Sequence, residues 1–239
     1  MTYIPHHYAN LLLHQLPTLK TQPQILDVGC GEGWLTRQLS KTYPGATITG
    51  TDKDYKKIQK CRYEASNQNL SIHYQILNHD QSKLALEESY DLICCHNVLA
   101  HSQNPQQLIQ KLANQLNQRG TLSIISENPA AKALEENFRA LSPTADIQLE
   151  DIGKIYDLHI EQVKERVQKS SDLRILYPLE DLLHWSNQLG KGYDVEVKGL
   201  SYVMDYLDES YHWLEEEVAL QNNSTFFSYF YHILVKKLS

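Results

Sequence analysis

An α/β fold, built on a doubly wound and largely parallel sheet, is what this sequence predicts, and three observations predict it. Strand-like and helix-like patterns alternate from about residue 20 to residue 127, as in crossover-connected parallel sheets. The run Ile25-Leu26-Asp27-Val28 leads into Gly29-Cys30-Gly31-Glu32-Gly33 and then opens a helix, the way a parallel strand passes to its crossover helix at a ligand site. Asp91-Leu92-Ile93-Cys94-Cys95-His96 is apolar along its middle, as expected of a strand covered on both faces.

The elements follow in order. Residues 5–17 read as a short helix stopped near Pro17. Ile25–Val28 is a first strand and Trp34–Thr42 a helix; Ala46–Thr51 is a second strand, followed by a helix from Lys56 to about Asn67. Ser71–Leu77 alternates like a third strand, and Asp91–His96 is the fourth. Pro105–Leu116 is a helix with Leu108, Ile109, Leu112 and Leu116 on one face, ended by Arg119-Gly120, after which Thr121–Ser126 is a fifth strand. The alternation then breaks. Residues 129–175 hold two helical stretches, Ala131–Leu141 and Leu149–Lys169, without a strand between them. The expected organisation is one domain over 1–239, with 129–178 a helical lid over the carboxyl edge of the sheet. Helix Leu179–Leu189, strand Val195–Val203, helix Glu209–Leu220 and strand Phe227–Val235 close the chain.

Composition narrows the class of function. A formal net charge of −7 in 239 residues argues against a surface coated in basic residues for non-specific nucleic-acid binding. It leaves room for a local basic patch. Cys30, Cys61, Cys94 and Cys95 have neither C-x-x-C pairing nor regular spacing, so they read as reduced thiols of a cytoplasmic protein. The first residues lack a basic stretch followed by a long apolar core, and no segment approaches the roughly 20 apolar residues of a membrane span. A soluble cytoplasmic protein without a membrane contact is the expectation.

The glycine turn carries the chemistry. Its spacing, D-x-G-x-G-x-G, is one residue tighter than the G-x-G-x-x-G of dinucleotide-binding folds. That points to S-adenosyl-L-methionine (SAM) and away from an NAD-dependent oxidoreductase. Three further positions recur at the carboxyl ends of successive strands, where open α/β sheets bind ligands. Asp52, followed by Lys53, ends the second strand and offers two acceptor oxygens to a ribose. Asp80, followed by Gln81, comes after the third strand, where it could meet an adenine amine. His96-Asn97 closes the fourth strand at the middle of the crevice.

Across about residues 20–127 the chain resembles the class I SAM-dependent methyltransferases. The resemblance is carried by Ile25–Gly33, by Ile48–Asp54 and by Ser89–Pro105, which reads SYDLICCHNVLAHSQNP. Arg119-Gly120-Thr121-Leu122-Ser123 resembles the family's R-G-G-x-L element with one glycine missing. The resemblance implies a Rossmann-like, seven-stranded methyltransferase sheet with a helical insertion after the fifth strand. It implies that Asp27, Gly29, Cys30, Gly31 and Gly33 hold the methionine moiety and Asp52 with Lys53 the ribose side. Asp80 and Gln81 would flank the adenine, and the His96-Asn97 backbone the sulfonium side. The missing glycine and Ala100, where relatives often carry Glu, also leave open a SAM-binding regulatory protein without catalysis.

A narrower likeness extends into the carboxyl third. Leu122-Ser123 to Asn128, Asn137-Phe138, Tyr177-Pro178-Leu179-Glu180 and Gly199 to Leu207 resemble elements of the bacterial tRNA wobble-uridine carboxymethoxy methyltransferases. The amino-terminal helix lacks the arginine those enzymes have, and the insertion is longer and not clearly basic. The methyl acceptor therefore stays open between a carboxylate on a modified tRNA wobble uridine and a small metabolite. Asn128, Arg174, Tyr177 and Tyr202 are the candidate substrate contacts.

An anionic acceptor would need no general base, whereas a neutral hydroxyl or amine would, with His101 or Tyr177 as candidates. His101 is alternatively a pocket wall or the cap of the following helix. Vicinal Cys94-Cys95 read as small apolar packing in a buried strand. His96 and His101 are five residues apart without a second ligand pair, so no metal site is expected.

Overall fold

The computed structural model describes residues 6–80, 89–129, 176–202 and 228–239. The expected insertion helices, the helix at Glu209–Leu220, Gln81 and Arg174 lie outside the described residues.

The described elements are α1 (His6–Gln15), β1 (Gln24–Val28), α2 (Trp34–Thr42), β2 (Thr47–Asp52), α3 (Tyr55–Asn67), β3 (His73–Ile76) and β4 (Tyr90–His96). A single 3-10 turn at Leu99–His101 leads to α4 (Pro105–Asn114), β5 (Leu116–Glu127), α5 (Leu179–Asn187), β6 (Tyr193–Tyr202) and β7 (Ser228–Lys237). The strands form one seven-stranded sheet in the order β3-β2-β1-β4-β5-β7-β6. β1 to β5 pair in parallel, and β7 runs antiparallel to both β5 and β6. The doubly wound fold expected from the alternation is thus present. Its winding reverses between β1 and β4, so the crevice opens where the glycine turn and His96-Asn97 leave the sheet.

Alternate residues of the central strands face two cores. Leu26, Val28, Ile93, Cys95, Leu122 and Ile124 pack with Leu108, Ile109 and Leu112 of α4 and Leu182 of α5. Ile25, Leu92, Cys94 and Ile125 pack on the other side with Leu12 and Leu16 of the α1 region and Leu39 of α2. Cys94 and Cys95 are completely buried on opposite faces, the apolar role their sequence setting suggested. Fixed termini hold the helices in place. Asp54 Oδ1 accepts the N–H groups of Lys56 at 2.8 Å and Lys57 at 3.3 Å at the start of α3. Asn104 Oδ1 accepts the N–H of Gln107 at 3.0 Å, ahead of Pro105 at the start of α4.

Several boundaries differ from the sequence reading by a few residues, and two have a clear physical reason. Leu116 does not close α4; it opens β5 opposite Tyr90, with a register shift before Leu92 pairs with Thr121. Its apolar side chain lies on the face of the core that α4 also covers, which is why helical periodicity ran on into it. Strand β7 continues to Lys237, past Val235, because β6 supplies it with antiparallel partners as far as Tyr193.

Candidate functional site

Gly29, Gly31 and Gly33 all adopt left-handed backbone, with φ of +66°, +56° and +71°, a region that costs other residues about 1–2 kcal/mol. The turn is closed by Gly33 N–H donating to Cys30 O and by Cys30 N–H donating to Thr51 O, both at 2.8 Å. The three glycines serve different ends. A Cβ on Gly29 would sit 2.5 Å from Val98 Cγ2, and one on Gly33 would sit 2.8 Å from Cys61 Sγ. A Cβ on Gly31 would meet nothing within 4 Å among the described residues. Gly29 and Gly33 are therefore required by packing, whereas Gly31 borders open space.

The acids expected at the site fall into distinct roles. Asp52 Oδ2 accepts the Gly31 N–H at 2.9 Å and Oδ1 accepts the Asp54 N–H at 2.9 Å. A carboxylate has about four acceptor positions, so each oxygen keeps one for a ligand. Lys53, next in sequence, is exposed. Asp27 is buried beneath the turn and accepts the Thr36 hydroxyl at 2.6 Å. Burial raises its carboxyl to about 7; the Thr36 hydrogen bond opposes that rise and the Asp52 charge adds to it. Asp80 Oδ1 accepts Ser102 Oγ–H at 2.8 Å and Gln103 N–H at 3.0 Å. Asp80 thus ties the loop after β3 to the loop after β4, and its Oδ2 lies 3.8 Å from His79 Nε2.

At the end of β4, Asn97 takes left-handed backbone with φ of +57° and donates its N–H to Ile125 O at 2.8 Å. Its Oδ1 is buried without a hydrogen-bond partner among the described residues. The His96 side chain joins a polar chain that motif spacing did not reveal. His96 Nε2 lies 2.8 Å from Ser123 Oγ, Ser123 Oγ lies 2.8 Å from His232 Nε2, and His232 Nδ1 lies 2.7 Å from Gln15 Oε1. Gln15 Nε2 donates to Gly199 O at 3.1 Å. No local signal in the sequence joins these groups, since Ser123 and His232 stand 109 positions apart.

The remaining candidates are placed as follows. His101 is exposed in the 3-10 turn, and Asn104 provides the α4 cap that His101 was a candidate for. Tyr177 stacks edge-on against Trp185 at 5.0 Å beside the α4 side of the core. Burial pushes its phenol up, away from the range of a base at neutral pH. Asn128 is fully buried and donates Nδ2–H to Ser228 O at 2.9 Å, joining the end of β5 to the start of β7. Tyr202 pairs with Ser228 through the backbone of β6. Cys30 is partly exposed and lies against Cys61, whose Sγ contacts Gly31 O at 3.3 Å. Among the described residues, no group of three His, Cys, Asp or Glu side chains is arranged to hold a metal ion. Nor is any described helix long and apolar enough to cross a membrane.

These residues fit the cofactor that the resemblance implies. Spare acceptor positions on Asp52 suit ribose hydroxyls, Gly31 leaves room for close approach, and the orphaned Asn97 Oδ1 calls for a donor such as an ammonium group.

Comparison with known proteins agrees with this arrangement. A family model described as a methyltransferase domain matches residues 19–180. The ubiquinone biosynthesis O-methyltransferase of Glaesserella parasuis is 34% identical over 114 residues, covering 46% of this chain and 48% of that protein. The malonyl-[acyl-carrier protein] O-methyltransferase of Halalkalibacterium halodurans is 31% identical over 131 residues, covering 52% and 46%. The chain thus spans about half the length of the curated relatives it matches. Among solved structures, a SAM-dependent methyltransferase from Mesorhizobium loti superposes with a TM-score of 0.61 at 16% identity, covering 96% of this chain and 98% of that one. That likeness speaks for the fold.

Proposed function

The chain belongs to the methyltransferase-domain family, and from that premise we propose that it transfers the methyl group of SAM to an oxygen nucleophile. Bound, this cofactor supplies an electrophilic methyl on a positively charged sulfur. The residues proposed to hold it are Asp52 at the ribose, the Gly29–Gly33 turn along the methionine moiety and the end of β4 beside the sulfur. The protein's task is then alignment of acceptor oxygen, methyl and sulfur, an arrangement that supplies several kcal/mol of a transfer barrier.

The observation that carries this reading is Asp52, whose carboxylate joins the glycine turn while keeping acceptor capacity at the crevice. The O-methyltransferase names of the curated relatives support oxygen as the accepting atom. Calorimetry with SAM and S-adenosylhomocysteine tests the donor; absence of binding by both would end the proposal.

The acceptor is narrower ground. Leu122-Ser123 to Asn128 and Gly199 to Leu207 support a carboxylate on a modified tRNA wobble uridine, and no described element is markedly basic enough to add to that support. Mass spectrometry of tRNA nucleosides from a deletion strain decides it. Loss of a methyl ester at the wobble uridine supports tRNA, and an unchanged profile moves the acceptor to a small metabolite.

A further inference from the structure

Resting on the methyltransferase reading above and deciding between its two acceptors, we propose that His96 Nδ1 is the general base for the methyl acceptor, which therefore presents a protonated oxygen, a phenol or alcohol of a small metabolite, and not the carboxylate of a wobble uridine. The argument begins remote from the crevice. Gly199 O can only accept a hydrogen bond, so the Gln15 group facing it at 3.1 Å is the amide NH2. That fixes Gln15 Oε1 toward His232 Nδ1 at 2.7 Å, and Nδ1 must carry the proton, since two bare acceptors would repel at that distance. Burial pushes His232 down to about 3, so the ring is neutral and its Nε2 is a bare acceptor. Ser123 has one proton, and it is donated to His232 Nε2. Ser123 Oγ then accepts from His96, which places the His96 proton on Nε2.

The polarity of the whole chain is thereby set by one carbonyl. Its far end is His96 Nδ1, a lone pair that is buried without a hydrogen-bond partner among the described residues. His96 is the last residue of β4, next to the switch point between β1 and β4 where the glycine turn also ends. A lone pair there attracts an O–H and repels a carboxylate, which has no proton to give. Burial holds the His96 ring neutral, so the lone pair is available at ordinary pH.

The step balances. The acceptor O–CH3 bond forms as the donor S–CH3 bond breaks, and the acceptor's O–H proton passes to His96 Nδ1. The positive charge leaves sulfur and appears on the imidazolium, so the net charge in the crevice is unchanged. Ser123, His232 and Gln15 are positioning residues. They hold the ring in the tautomer whose basic nitrogen is the one left open.

The test is nitrogen-15 NMR of the full chain labelled at histidine, first alone, then saturated with S-adenosylhomocysteine, then with catechol or benzoate as probes. His96 is expected as the Nε2–H tautomer, with a bare Nδ1 whose signal catechol moves and benzoate does not. Ser123→Ala is expected to turn the single tautomer into a mixture of the two while the amide spectrum stays folded, a change that loss of packing alone would not give. A protonated Nδ1, a tautomer indifferent to Ser123→Ala, or an Nδ1 signal that catechol leaves unmoved or benzoate moves equally overturns the proposal. Failure of S-adenosylhomocysteine to bind overturns the methyltransferase reading itself, whereas binding with Nδ1 protonated overturns the base alone.

Discussion

The Asp52 carboxylate accepts the backbone N–H of Gly31 at 2.9 Å, and that bond joins the acid ending β2 to the turn leaving β1. The same group thus shapes the loop and addresses the ligand. Asp52→Asn keeps an acceptor for Gly31 but loses the charge and an acceptor position. Hydrogen bonds to charged groups contribute about 1.5–3 kcal/mol, so S-adenosylhomocysteine affinity is expected to fall about tenfold to a hundredfold. Asp52→Ala, which frees the turn as well, is expected to fall further. Calorimetry on the three proteins checks the order, and equal affinities would remove Asp52 from the site.

Gly29 and Gly31 make opposite predictions although they are two residues apart in one turn. Gly29→Ala adds left-handed strain and drives a Cβ to 2.5 Å from Val98 Cγ2, together a loss of about 2–4 kcal/mol of stability. Gly31→Ala carries the strain alone, about 1–2 kcal/mol, because its Cβ meets nothing within 4 Å. Its methyl instead stands where a ligand approaches the main chain. Urea unfolding should rank Gly29→Ala as the less stable variant, and calorimetry should find the affinity of Gly31→Ala lost. The reverse pairing would mean that the open space beside Gly31 is not the ligand's.

What could be read from the sequence was whatever a local pattern encodes. The glycine turn, Asp52 and the β4 run announce themselves because backbone freedom, an acid after a strand and continuous burial each leave a short signature. Leu116 misled because apolar spacing cannot distinguish the last turn of α4 from the first residue of a bulged β5. Asn128 drew attention as a substrate contact, and the sequence did not show that its Nδ2 donates to Ser228 O, a partner 100 residues away. The chain from His96 through Ser123 and His232 to Gln15 was not legible at all. Its members come from four elements that only the completed sheet and α1 bring together.

Gly50 predicts a coupling across β2 and β3. A Cβ on Gly50 would lie 2.7 Å from the Tyr74 ring, so the glycine leaves room for an aromatic on the neighbouring strand. Gly50→Ala is expected to cost about 1–3 kcal/mol through overpacking. In the double variant with Tyr74→Leu, the two losses should fall short of their sum, since the shorter side chain makes room for the methyl. Denaturant unfolding of the four proteins measures the coupling, and strict additivity would show that the cost of the methyl arises elsewhere than at the Tyr74 ring, as at Thr36 Cγ2, 3.1 Å from the same Cβ.

Asp27 makes the prediction that depends on pH. Its carboxyl is raised to about 7 in the folded protein, against about 3.9 in an unfolded chain. A raised acid means that the native state keeps a proton the unfolded state releases, so stability falls as pH rises between those values and levels off above about 7. At about 1.4 kcal/mol per unit, the loss is expected to reach a few kcal/mol. Asp27→Asn removes the titration while an amide oxygen still accepts the Thr36 hydroxyl, which Asp27 binds at 2.6 Å. The variant should therefore match the parent near pH 4 and exceed it at pH 8. Urea unfolding of both proteins at the two pH values decides the point. A variant less stable at pH 8 would show that Asp27 is ionised and stabilising in the native fold, and a difference that does not change with pH would show that its carboxyl is not raised.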